Sequence, residues 1–146
     1  VIDTISWNGP PNDPIDFCME EQETLLKSSR DWMVRVLNIS DALEQRGYAA
    51  GLKASVDLEF SDREIPENNG IWSLTINEGR GSVKKLTSSR SRQILTIGPR
   101  GVAPLYTSHY SATDLKIMGM IDGPGEIISL ADSIFSGPKP WIGDQF

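Results

Sequence analysis

Few residues in this 146-residue chain have the type and setting needed for chemistry. The single histidine, His109, lacks cysteine or carboxylate neighbours at zinc-ligand spacing. Its place in an i, i+3, i+4, i+7 series with Val102, Leu105 and Tyr106 reads as a packed, hydrogen-bonded core histidine. The single cysteine, Cys18, stands among Asp16, Glu20 and Glu21, which raise a thiol pKa and suppress the reactive thiolate. Gly79-Arg80-Gly81 has the composition of a phosphate loop but falls in a hairpin corner, not ahead of a helix. No G-x-S-x-G, H-E-x-x-H or G-x-x-x-x-G-K-S/T motif occurs. The end of the chain is different. Trp141 and Phe146 place two large aromatics on a short tail where a terminus ordinarily frays, which points to a docked tail. Docking would bring the terminal carboxylate of Phe146 into a partly buried setting, and desolvation would raise its pKa toward the range of a general base. The residues alone favour a plainer reading, in which Trp141 seals the base of the core and Phe146 is incidental.

These groups must be positioned by an architecture that the hydrophobic pattern outlines. The organising stretch is Gly70 to Leu86, a β-hairpin with Trp72, Leu74 and Ile76 on one face and Ser73, Thr75 and Asn77 on the other, turning at Asn77-Glu78-Gly79. A two-stranded ribbon is marginal alone, so its apolar face needs a cover. Leu52 to Phe60 alternates cleanly and reads as a half-buried strand, and Gln93 to Ile97 as a short one. Val1 to Asn8 reads as a strand that ends in a proline-rich linker, Phe17 to Arg30 as an acidic helix or loose segment, and Asp31 to Ile39 as a largely buried strand with Trp32, Val34 and Val36 on one side. Ser40 to Gly47 reads as a helix capped by Ser40 and stopped by Gly47. After Gly98-Pro99 the period becomes helical, limited by Pro104; Ser111 to Asp114 carries a capping pattern for a second helix with Leu115 and Met118 inward. Glu126 to Ser136 forms a third, with Ile127, Leu130, Ala131, Ile134 and Phe135 inward and Gly137 as its stop, before an extended, proline-bound tail. Strands first and helices later predict an α+β domain, an antiparallel sheet of about five strands covered on one face by helices.

Composition narrows the partners. The length suits one domain with a sizeable core, and one cysteine excludes an internal disulfide, which fits a cytoplasmic setting. No signal peptide and no apolar run of about 18 residues is present, so no membrane span is expected. Net charge is −6, with 14 acids against 6 bases in residues 1–70 and 6 against 8 in 71–146. That balance argues against nucleic acid and would steer a cationic small molecule or basic partner to the first half, if it does more than keep the domain soluble. The opening on Val1 without methionine suggests a piece of a longer protein.

One ordered set of segments adds a family resemblance. Trp7-Asn8-Gly9-Pro10-Pro11-Asn12-Asp13-Pro14, the run Trp32 to Ile39 with Ala42 to Tyr48, the Trp72-x-Leu74 hairpin, Leu105-Tyr106-Thr107-Ser108, and Pro140-Trp141 with a terminal Phe146 resemble the C-terminal part of the enhanced-intracellular-survival-like N-acetyltransferases, along nearly the whole chain. Between Trp141 and Phe146 the tail departs from the family. Such proteins have two tandem GCN5-related acetyltransferase domains followed by a sterol-carrier-protein-2-like domain. The resemblance implies that residues 1–30 are the tail of a preceding acetyltransferase domain with its linker, and 31–146 the sterol-carrier-protein-2-like domain. It implies acetyl transfer from acetyl-CoA, bound elsewhere in the full-length protein, to a cationic amine. Phe146 would supply the general-base carboxylate, Trp141 would line the substrate pocket, and the chain would be inactive alone. Its partners would be the N-terminal acetyltransferase domains and other copies in a homo-oligomer. Two other readings stand beside this one: a lipid- or sterol-binding carrier-like module, and a structural interaction domain.

Overall fold

The computed structural model describes residues 4–10, 13–19, 25, 27, 33–88 and 93–142. Residues 34–138 form one unit, and 1–33 with 139–146 a second. Along the larger unit run α1 (Ile39–Gln45), β1 (Ala54–Phe60), β2 (Gly70–Asn77), β3 (Arg80–Leu86), β4 (Ile94–Ile97), α2 (Pro99–Tyr106), α3 (Ala112–Ile117), β5 (Ile121–Asp122) and α4 (Gly125–Ile134).

The hairpin forms as its sequence predicts. Glu78 (φ 51) and Gly79 (φ 78) make a two-residue turn in which both residues are left-handed, the geometry whose twist matches the flanking strands. Gly79 also has close neighbours, because a Cβ there would lie 3.2 Å from the Tyr48 carbonyl oxygen. Leu74 and Ile76 are buried, while Trp72 is half-buried, its indole N–H donating to the Asn68 carbonyl at 2.8 Å.

β1 pairs antiparallel with β2, from Ala54 opposite Ile76 to Phe60 opposite Gly70, and the strand order is β3-β2-β1-β4-β5. The fold is the α+β arrangement expected, with one departure. β4 runs parallel to β1, Asp57 to Phe60 matching Ile94 to Ile97. Alternation within a strand reports which face is buried but not the direction of the neighbour, so this crossover left no trace in the pattern. Val56, Leu58, Phe60, Leu74, Ile76, Leu95 and Ile97 face Leu43, Val102, Leu105, Leu115, Ile127, Ala131 and Ile134 in one core. The other sheet face carries Ser55, Thr75, Ser82 and Lys84, all exposed.

Several local expectations are overturned. Residues 33–38 form no strand: Met33 is 98 % exposed and Leu37 69 %, and only Val36 and Ile39 enter the core. Their backbone polar groups find side chains instead of a ladder, with Asn68 donating from Nδ2 to the Leu37 carbonyl (3.1 Å) and accepting from the Ile39 N–H (3.0 Å). Asn38, not Ser40, caps α1 by accepting the Asp41 N–H, and the helix ends before Gly47 with Arg46 at its C-cap. β1 begins at Ala54, two residues later than read. Residues 4–8 are irregular, while residues 1–3, Trp32 and most of 17–30 lie outside the described residues. α2 runs through Pro104 and stops at Thr107, so His109 lies beyond the helix, exposed, its ring 4.5 Å from that of Tyr110. The Ser111–Asp114 capping box is present, with Leu115 buried but Met118 44 % exposed just past the helix end. α4 ends at Ile134, short of Gly137. β5 is too brief to leave a pattern. In the smaller unit, Asp13 caps a 3₁₀ turn at Pro14–Phe17 and accepts from the Trp7 indole at 3.4 Å.

The segment before α1 is held by Arg35, whose Nη2 donates to both carboxylate oxygens of Asp62 at 2.8 and 2.7 Å. Desolvation pushes the buried Asp62 carboxyl up, but the Glu64 and Ile65 N–H groups and Arg35 outweigh it and hold its pKa below the ordinary value. With the folded value below the unfolded one, the contribution is present above about pH 4 and is lost as pH falls through the folded value. Asp62→Asn should therefore flatten the acid limb of stability against pH; a limb unchanged in denaturant titrations would refute this.

Candidate functional site

The two residues singled out on the tail are placed as follows. Trp141 lies in irregular chain and is 47 % exposed; it is not one of the buried core side chains. Phe146 lies outside the described residues. Cys18 is exposed. Gly79-Arg80-Gly81 makes the hairpin turn and the first residues of β3, beside a shallow, open depression of about 610 Å³ lined by Thr75, Asn77, Glu78, Arg80, Gly81 and Ser82.

The most built-up polar site centres on Arg46, at the end of α1. Its Nε donates to the Tyr106 carbonyl (2.9 Å), Nη1 to those of Gly47 (3.0 Å) and Ile134 (3.4 Å), and Nη2 to the Ser108 hydroxyl (3.0 Å) and the Phe135 carbonyl (3.0 Å). All five guanidinium donors thus have acceptors. The guanidinium carbon lies 5.1 Å from the Tyr48 ring centre and 5.3 Å from that of Phe135. Among the described residues no carboxylate pairs with it; the C-terminal ends of α2 and α4 supply the negative potential instead. Ser108, at φ 59, donates its hydroxyl to the Phe135 carbonyl at 2.8 Å. A Cβ on Gly137 would lie 2.8 Å from that hydroxyl oxygen. The site therefore ties together the ends of α1, α2 and α4 where the chain leaves its last helix.

Burial lowers the Arg46 pKa, opposed by Tyr48 and Tyr106, and the guanidinium stays charged. Burial likewise pushes the Tyr48 hydroxyl up to about 12, partly opposed by Arg46, while the neutral hydroxyl donates to the Leu43 carbonyl at 2.6 Å. A folded pKa above the unfolded value of about 10 means the stabilisation is complete below pH 10 and is lost as pH rises through about 12. Stability should fall over that window, and Tyr48→Phe should remove this component; an unchanged alkaline slope in the variant would refute it.

Sequence reasoning placed Arg46 in α1 and read Gly137 as a helix stop, but missed that they meet. The one local hint is that Ala42 and Leu43, four and three residues before Arg46, offer no acid for a surface pair. Leu43, Leu74, Leu95, Leu115 and Ala131 are all 0 % exposed, packed against protein atoms. Among the described residues no helix is long and apolar enough to cross a membrane.

A mixed five-stranded sheet with its helices on one face and a packed core makes the larger unit an α+β domain. The family profile described as sterol carrier protein domain matches residues 39–143, and the chain belongs to that family. No curated protein matches it. Among solved structures it is similar to a GCN5-related N-acetyltransferase from Anabaena variabilis (31 % identity, TM-score 0.86, covering 96 % of this chain and 35 % of that one). It is also similar to one from Kribbella flavida (33 %, TM-score 0.78, 93 % and 34 %). Eis1 from Mycobacterium abscessus shares the fold at 21 % identity, TM-score 0.59, over 74 % of this chain and 26 % of that one. The chain thus spans about a third of the length of the first two.

Proposed function

We propose that this chain is the C-terminal, substrate-pocket-forming part of an acetyl-CoA-dependent amine N-acetyltransferase of the enhanced-intracellular-survival type. Residues 1–30 are then the tail of a preceding acetyltransferase domain and its linker, and 31–146 the sterol-carrier-protein-2-like domain. The observation that carries this reading is coverage. The family match begins at residue 39, whereas the likeness to the Anabaena variabilis acetyltransferase takes in 96 % of the chain and so reaches well ahead of that domain. That extension is a feature shared with whole acetyltransferases.

In this reading Phe146 contributes its carboxylate as the base that takes a proton from the substrate ammonium, freeing the lone pair that attacks the acetyl thioester. Trp141 lines the pocket, and the acidic first half favours a cationic amine. Acetyl-CoA, the tandem acetyltransferase domains, assembly into a homo-oligomer and a cytoplasmic setting belong to the full-length protein under the same proposal. The test is steady-state acetyl transfer to polyamines and aminoglycosides by the full-length protein with and without Phe146. Titration with a fluorescent fatty acid runs alongside. Saturable fatty-acid binding with unchanged transfer after deletion would overturn the proposal in favour of a lipid carrier.

A further inference from the structure

We infer that the uncovered face of the β-sheet is a docking face for a preceding acetyltransferase domain of the same polypeptide; this rests on the reading that such a domain precedes the chain. The helices and the core lie against one face of the sheet. On the opposite face Ser55, Thr75 and Ser82 stand side by side across β1, β2 and β3, all exposed, with the Ser55 and Thr75 hydroxyl oxygens 3.3 Å apart. Short side chains in this central row leave the sheet low, so another surface can come close to it. Three cations border the row. Lys53 comes two residues before Ser55, Arg80 opens β3 opposite Asn77, and Lys84 stands two residues beyond Ser82. All three are exposed, and neither ion pair among the described residues includes them. The shallow depression beside the hairpin turn lies here too, lined by Thr75, Asn77, Arg80 and Ser82 with their neighbours. Asp57 and Glu59 lie on β1 toward the end away from the turn, so charge on this face is sorted by sign, not interspersed as solubility alone favours.

Size and composition select the occupant. β1, β2 and β3 run seven or eight residues and β4 four. At about 3.3 Å per residue and about 4.8 Å between strands, the face measures about 400–500 Å². A stable complex of separate chains takes about 800 Å² from each partner and has an apolar centre. Here the area is too small and the centre is polar: none of the exposed large apolar side chains among the described residues lies on this face. The same lack argues against a lipid surface, and the carboxylates of Asp57 and Glu59 argue against nucleic acid. A domain tethered in the same chain is different. Its effective concentration is on the order of millimolar, so a small polar contact holds it, and contacts between domains of one chain are of this size and character. The acetyltransferases from Anabaena variabilis and Kribbella flavida have about two thirds of their length outside the match to this chain, which is ample for such a domain. The partner face is polar and sets carboxylates opposite Lys53, Arg80 and Lys84.

The test reads lysine reactivity in the full-length protein, with an amine-acylating ester as the probe. Thr75→Trp sets a bulky ring at the centre of the face, at an exposed strand position that tryptophan suits. Lys53 and Lys84 should acylate about fivefold faster in this variant than in the parent, as expected when a face docked most of the time is opened. Lys116, on α3, should react equally in both. Lys84→Glu reverses one charge without adding bulk and should speed acylation of Lys53 about threefold. Equal rates at Lys53 in the parent and both variants, with acetyl transfer intact, would overturn this inference alone. Protection found only in a multimer and lost on dilution would also overturn it, and would assign the face to a second copy. If the full-length protein transfers acetyl to none of the amines, the proposed function fails first and this inference falls with it.

Discussion

Removal of Phe146 from the full-length protein should lower kcat for acetyl transfer by about 100-fold, the lower end of what a positioned general base contributes. Deletion does not abolish the terminal carboxylate; it moves it back to Gln145, about 3.5 Å short along an extended chain, and strips off the aromatic ring. Amidation of the terminus is the cleaner companion, because it keeps the ring and the length and removes only the charge. Both should depress kcat, with KM for acetyl-CoA little changed, since that cofactor would be held by another part of the protein. The amidated enzyme should also lose the acid limb of its pH–rate profile, because under the proposed function the terminal carboxylate is the group whose ionisation creates that limb. An amidated enzyme with parental kcat and an intact limb would leave Phe146 as packing alone.

Arg46→Ala should destabilise the domain by about 3 kcal/mol, read from the urea midpoint, with a fall in melting temperature of roughly 10–20 °C. The change strands two helix ends at once, since the Tyr106, Ile134 and Phe135 carbonyls and the Ser108 hydroxyl lose their shared donor, and it empties the space between the Tyr48 and Phe135 rings. The loss stays below the sum of five charged hydrogen bonds because the site is half-exposed and water can reach some of the acceptors. Arg46→Lys should recover little, as an ammonium has three donors in a compact cluster and cannot span acceptors on two helices. A loss under about 1 kcal/mol would mean that solvent replaces the guanidinium at this node.

How far the chain could be read depended on the range of the interaction involved. The hairpin was legible because period-two alternation and a Glu-Gly corner are local, and so was α3, whose Ser111–Asp114 box acts within one turn. Residues 33–38 misled because their valines resemble a strand, while the groups that settle their conformation, Asp62 and Asn68, lie about thirty residues away. His109 misled for a related reason. Its spacing fits a helix that in fact ends at Thr107, where the chain turns through the left-handed Ser108.

The sequence by itself determined the class of fold, the alternation that builds β1 and β2, the apolar stripe of α4 and the presence of two aromatics on the tail, because each follows from the chemistry of neighbouring residues. Only the tertiary structure decided that β4 lies parallel to β1 and that Arg46, Ser108, Phe135 and Gly137 meet where the chain leaves its last helix. Arg46 bonds to groups 60 to 89 residues away in sequence, and no periodicity encodes a contact of that range; it exists only once α1, α2 and α4 have packed on the same sheet face.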